Sequence, residues 1–132
     1  MLDRYDLYVC YSGLADNIIT WQLPHGGFYK NKISAYQAAW NGTDERSGWF
    51  GGNGIELGTI DNDATVSELL FLADIYQRSG DTKYRDAASK ALDFILTMQH
   101  GNGGWPQVYP ERTGSVTYSN YYRVAKKEYP RI

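Results

Sequence analysis

Apolar residues fall at Ala64, Val66, Leu69, Leu70, Leu72, Ala73, Ile75 and Tyr76, mostly at three- and four-residue steps. That spacing predicts an amphipathic helix from about Asp63 to Ser79, stopped by Gly80 as a C-terminal cap. A second stripe, Tyr84, Ala87, Ala88, Ala91, Leu92, Ile95 and Leu96, predicts a helix that begins at Asp81 and reaches Gln99 and His100 in its last turn. The link Ser79-Gly80-Asp81-Thr82 is short, so the two helices should pack antiparallel as a hairpin. Thr65 with Glu68 three residues later has the form of a capping box, and Asp61 or Asp63 could equally cap the first turn.

A repeat extends this pattern. Asp16 to Phe28 resembles Asp93 to Trp105 at an offset of 77 residues. Asp, Ile, Thr, Gln and both glycines recur in register, and Phe28 matches Trp105. Each copy is a helix end, then Gln, a short spacer, Gly-Gly and an aromatic. Pro or Gly stops the helix, the glycines allow positive φ, and the aromatic can fold back against the helix end. A helical hairpin unit repeated at this period predicts an all-α chain, a partial α/α toroid or barrel with Gly-rich loops. The Gly-rich segment Gly48 to Gly54 lacks the Lys-Ser/Thr ending of a phosphate-binding loop.

Bulk properties narrow the picture. The chain has 132 residues, enough for one domain with a modest core. Its net charge of -2 points neither to nucleic acid nor to an anionic membrane surface. No apolar run approaches the ~20 residues that span a bilayer. Met1 to Asp6 has no uninterrupted apolar stretch, so no signal peptide is expected there. With Cys10 as the single cysteine, no internal disulfide forms. Aromatic residues make up 15%, with four Trp and twelve Tyr, which suits both core packing and stacking on sugar rings.

The candidate chemistry lies at Gly58 to Leu69, where Asp61, Asp63 and Glu68 place three carboxylates within eight residues. One acidic side chain suffices to cap a helix start. The surplus could serve as ligands for a hard cation such as calcium. Residues 15 to about 121 resemble the first half of a pectate lyase of polysaccharide lyase family 10. The resemblance rests on Ala15 to Pro24 with Gly26-Gly27-Phe28-Tyr29-Lys30-Asn31, on Gly58-Thr59-Ile60-Asp61-Asn62-Asp63-Ala64-Thr65, and on Gln99 to Pro110. The family resemblance implies a toroidal helical fold, secretion, and calcium-assisted β-elimination of polygalacturonate (pectin). It implies that Asp61 serves the catalytic calcium, with Asp63 as a second candidate ligand. Glu68 is expected to be structural. Lys30 and Asn31 could contact substrate carboxylates, and Trp105 could stack on a sugar or make the turn contact described above.

Beyond Tyr121 the resemblance is expected to end. The family would continue into a second acidic pair and a further half-toroid carrying an arginine base, and neither Arg112 nor Arg123 matches a catalytic motif position. Residues 122–132 are expected to form a divergent, poorly ordered tail on a single partial catalytic domain spanning 1–132. A truncated lyase holding part of the calcium site, with very low turnover, is the expectation. The Gln-x-x-x-Gly-Gly-aromatic pattern also resembles repeats of terpenoid cyclases and prenyltransferase β-subunits, but Cys10, His25 and His100 lack zinc-ligand spacing. A non-catalytic helical fragment that binds pectin is a further alternative. A half-toroid would also expose an apolar face suited to self-association.

Overall fold

The structure, a computed structural model, describes residues 4–110, with side chains described from Tyr11 onward. The expectations for the tail, for Arg112 and Arg123, and for Cys10 lie outside the described side chains. Three helices dominate: α1 (Arg4–Trp21), α2 (Val66–Ser79) and α3 (Thr82–Met98). α2 and α3 form the expected hairpin, and α1 lies mainly along α2. Gly80 closes α2 in the left-handed region at φ 72°, its N–H donating to the Tyr76 carbonyl at 2.7 Å. Asp81 then caps α3, its Oδ1 accepting from the Lys83 N–H at 3.1 Å.

The start of α2 differs from expectation. Asn62, Asp63 and Thr65 have φ of 53°, 63° and 64°, which right-handed helix does not accommodate, so α2 begins at Val66. No capping box forms. The Thr65 hydroxyl is used outside the helix, and Glu68 is buried, accepting from the Tyr36 hydroxyl at 2.8 Å and from Ser67 Oγ at 3.2 Å. Burial, reinforced by the neighbouring Glu68 carboxylate, raises the Tyr36 phenol above its ordinary pKa, so Tyr36 remains a donor.

The core joins Ala15 and Ile18 of α1, Leu72 and Ile75 of α2, and Tyr84, Ala87 and Ala91 of α3 to Phe28 and Tyr36. On α3 the buried positions are Tyr84, Ala87, Ala91, Phe94 and Met98, spaced three, four, three and four residues. Leu92 and Leu96, expected in the core stripe, are 47% and 55% exposed, and Leu70 of α2 is 61% exposed. Two short strands depart from the all-α expectation. β1 (Gly58–Thr59) pairs antiparallel with β2 (Val108–Tyr109), with Gly58 opposite Tyr109 and Thr59 opposite Val108.

The repeat is a repeated turn. After α1, Leu23 N–H donates to Gly27 O at 3.0 Å and Gly26 N–H to Leu23 O at 2.8 Å. After α3, His100 N–H donates to Gly104 O at 2.7 Å and Gly103 N–H to His100 O at 2.9 Å. Gln22 Nε2 donates to Gly26 O at 2.9 Å, and Gln99 Nε2 donates to Gly103 O at 2.8 Å. Gly26 and Gly103 both take positive φ, 97° and 95°. The first turn is packed hard against α3. A Cβ on Gly26 would stand 2.2 Å from Lys90 O, and one on Gly27 would stand 2.8 Å from the Phe94 ring.

Gly27→Ala should therefore lower unfolding stability by about 1–3 kcal/mol, because the Phe94 ring has nowhere to go. Gly101→Ala, with nothing within 4 Å of the added carbon, should change it by less than about 0.5 kcal/mol. Urea unfolding of the two variants beside the parent chain checks the contrast. Equal losses would contradict the close-packing argument.

Candidate functional site

Lys30 and Asp61 meet although 31 residues separate them. Lys30 Nζ lies 2.6 Å from Asp61 Oδ2, and Gln107 Nε2 donates to the same oxygen at 3.3 Å. The side chains of Lys30 and Asp61 are 21% and 32% exposed, so the pair lies at the surface and is partly covered. The Lys30 hydrogen bond, aided by Gln107, holds the Asp61 carboxyl below the usual carboxylate range. Asp61 is therefore an anion at neutral pH, with an ammonium and an amide aimed at one oxygen.

Backbone pairing brings these groups together. Phe28 is fully buried, and its carbonyl accepts from the Thr59 N–H at 3.0 Å. Two residues beyond each partner stand Lys30 and Asp61. The Thr59 hydroxyl donates to the Gln107 carbonyl at 2.5 Å and accepts from the Asp61 N–H at 3.0 Å, tying the third group to the second. Lys30 also lies over the Trp49 ring, 4.8 Å from its centroid, and Tyr29 meets the same ring edge-on at 5.6 Å. The cluster gathers a cation, an anion, an amide and an indole face at one place.

The other expected residues fall differently. Asn31 is exposed, with φ 61°, beside Lys30. Asp63 is exposed, takes φ 63°, and makes no ion pair among the described residues. Trp105 folds back on α3, its Nε1 donating to the Ile95 carbonyl at 2.8 Å, away from the hydrogen bonds that join Lys30, Asp61 and Gln107. Trp49 and Gln107 join the cluster without standing out in the sequence. Trp49 lies in the Gly-rich loop, where composition hides it, whereas Gln107 sits between Gln99 and Pro110, with only an amide beside Pro106 to mark it.

Residues 22–126 match the sequence profile of the family described as Pectic acid lyase. The chain belongs to this family, polysaccharide lyase family 10. Among solved structures, the family 10 polysaccharide lyase from Cellvibrio cellulosa is 34% identical, with a TM-score of 0.57 over 91% of this chain and 35% of that one. An aspartate-to-alanine mutant of that lyase in complex with trigalacturonic acid is 35% identical, with a TM-score of 0.62 over 91% of this chain and 36% of that one. The chain thus spans about a third of the length of the solved lyases it matches. No curated protein matches it.

For a chain of this family, calcium is the ion to test against the residues. Among the described residues no three His, Cys, Asp or Glu side chains gather around one point. Calcium takes about 6–8 oxygens, so the described carboxylates do not by themselves form a closed cage for it. The described arginine side chains are also engaged elsewhere. Arg46 donates to the carbonyls of Thr20 and Gln22 and stacks on Trp40, Arg78 pairs with Asp74, and Arg85 pairs with Asp86.

His25 has a structural task beside this site. Its Nδ1 accepts from the Gly27 N–H at 3.2 Å and its Nε2–H donates to the Glu56 carbonyl at 2.9 Å, which fixes the neutral tautomer. Asn102, at the matching position of the second turn, accepts from Gly104 N–H at 3.1 Å in the same way. With both ring nitrogens on backbone groups, His25 is not arranged as a zinc ligand. Burial lowers the His25 pKa below 6.5, with the nearby Arg46 charge acting the same way against the Glu56 contacts. The unfolded chain therefore takes up the proton first as pH falls. Stability should be full above about pH 7.5 and decline as pH drops through about 6.5. His25→Asn keeps the acceptor for Gly27, as Asn102 does, and should remove this decline. Thermal unfolding between pH 5 and 8 checks it; an unchanged slope in His25→Asn would contradict the assignment.

Proposed function

We propose that this chain carries the calcium-dependent, acidic-sugar-binding part of a pectate lyase site, with very low turnover by itself. The observation that carries the reading is the Lys30–Asp61–Gln107 cluster, assembled from three separate segments of the family's sequence. Polygalacturonate bears a carboxylate on every sugar. In this reading Lys30 leaves its contact with Asp61 to meet one of these carboxylates, and Gln107 offers an amide hydrogen to an oxygen of the same ring. Asn31 lies beside Lys30 at the surface, placed to meet a neighbouring sugar, and Trp49 supplies the apolar wall.

Asp61, with Asp63 as a weaker candidate, would hold calcium together with the substrate carboxylate. When bound there, calcium would withdraw electrons from the C6 carboxylate and so acidify the C5 proton. β-Elimination also needs a base at C5. The described arginine side chains are committed to other partners, so none of those three is assigned that role. Trp105 is proposed to act through the turn it closes rather than by stacking on substrate. A partial α/α toroid of helical hairpins is the architecture this reading assumes.

With polygalacturonate and calcium, ultraviolet absorbance from unsaturated uronides should stay at the level of the chelated control. Calorimetric titration with trigalacturonic acid should show calcium-dependent binding that weakens roughly tenfold in Lys30→Met and loses its calcium dependence in Asp61→Ala. A calcium-dependent rise in absorbance, lost in Asp61→Ala, would overturn the low-turnover part of the reading and bring Arg112 and Arg123 forward as bases. Absence of any binding would overturn the whole.

A further inference from the structure

Thr65 is the most strained residue described near the site. Its φ of 64° and ψ of -46° place it at the centre of a three-residue γ-turn, with the Val66 N–H donating to the Ala64 carbonyl at 2.7 Å. That form of γ-turn is rare and strained, and a β-branched side chain makes it more so. Such a conformation persists only where the surroundings demand it. Thr65 is fully buried, and it does not cap α2.

Its hydroxyl shows the demand. Thr65 Oγ1 accepts from the Phe28 N–H at 2.9 Å and donates to the Thr59 carbonyl at 2.7 Å. The Phe28 carbonyl lies 3.3 Å away. Phe28 and Thr59 are the paired backbone positions from which Lys30 and Asp61 each project two residues later. Thr59 in turn holds the Gln107 carbonyl through its own hydroxyl. One buried hydroxyl thus joins the two segments whose ends form the cluster, and a second hydroxyl passes the connection to the third. An ordinary helical start at residue 65 would turn this hydroxyl away from the pair.

We propose that Thr65 is the positioning residue of the Lys30–Asp61–Gln107 cluster. It touches neither ligand nor reacting atoms. The strained γ-turn puts its hydroxyl between Phe28 and Thr59, so Lys30 and Asp61 stand in a fixed relation before a ligand arrives. The claim rests on the reading of that cluster as the acidic-sugar site, but its central measurement needs no ligand.

Three variants test it. Thr65→Ser keeps the hydroxyl, Thr65→Val keeps the shape without it, and Thr65→Gly removes the hydroxyl while tolerating the positive φ. Amide hydrogen exchange should quicken at least tenfold at residues 28–31, 59–63 and 107–109 in Thr65→Gly and Thr65→Val. The helix amides of Leu72, Ile75, Ala87 and Ala91 should change less than twofold, and Thr65→Ser should match the parent. If Thr65→Val does not fold, Thr65→Gly carries the comparison. Trigalacturonic acid with calcium should bind about tenfold more weakly to Thr65→Gly and within twofold of the parent to Thr65→Ser. Uniform quickening across the helices, unchanged exchange in Thr65→Gly, or a Thr65→Ser variant as impaired as Thr65→Gly would overturn the proposal. If the parent itself binds no trigalacturonic acid, the functional reading fails, and the exchange data still decide whether Thr65 holds the cluster.

Discussion

The Phe94 ring is the surface on which the site rests. A Cβ on either Gly27 or Gly58 would stand 2.8 Å from it, His25 stacks on it at 4.9 Å, and Tyr109 meets it edge-on at 6.1 Å. Three chain segments, around residues 25–28, 58–59 and 109, therefore converge on one buried aromatic of α3. Interiors pack densely enough that such a meeting leaves no room for a side chain between backbone and ring. Glycine at positions 27 and 58 is the condition for it. Lys30 and Asp61 lie three residues beyond those glycines, so the packing on Phe94 decides where the charges can be.

Much of the scaffold was legible because it depends on local chemistry. Gly80 and Asp81 ended one helix and began the next, and the Gln-to-Gly-Gly repeat became a turn with matching hydrogen bonds. The fold-back of Trp105 onto its helix followed from the same repeat. α3 was harder to orient. It carries two adjacent apolar stripes, and periodicity alone does not say which one is buried. The approach of the Gly-Gly turn selects Phe94, while Leu92 and Leu96 stay exposed. The start of α2 escaped for a related reason. Thr65 and Glu68 fit a capping box by spacing, but Phe28 and Tyr36, each more than 30 residues away by sequence, claim their oxygens instead.

The candidate site was half legible. Lys30 and Asp61 were identifiable singly, yet their pairing is a long-range fact that no local pattern encodes. A partly exposed ion pair is worth about 1 kcal/mol or less. In the proposed reading that weakness matters, because a sugar carboxylate would draw Lys30 away and a cation would replace it on Asp61 at little cost. By contrast, the Thr59 and Thr65 hydroxyls beneath are fully buried, where losing a hydrogen-bond partner costs about 1–3 kcal/mol. The cluster thus combines an exchangeable surface pair with a rigid footing.

The most direct test is a crystal structure of the chain with trigalacturonic acid and calcium. The account predicts a sugar carboxylate within hydrogen-bond distance of Lys30 Nζ, a cation on Asp61, and Phe28, Thr59 and Thr65 unmoved. A trisaccharide bound elsewhere, with the Lys30–Asp61 pair intact, would contradict it.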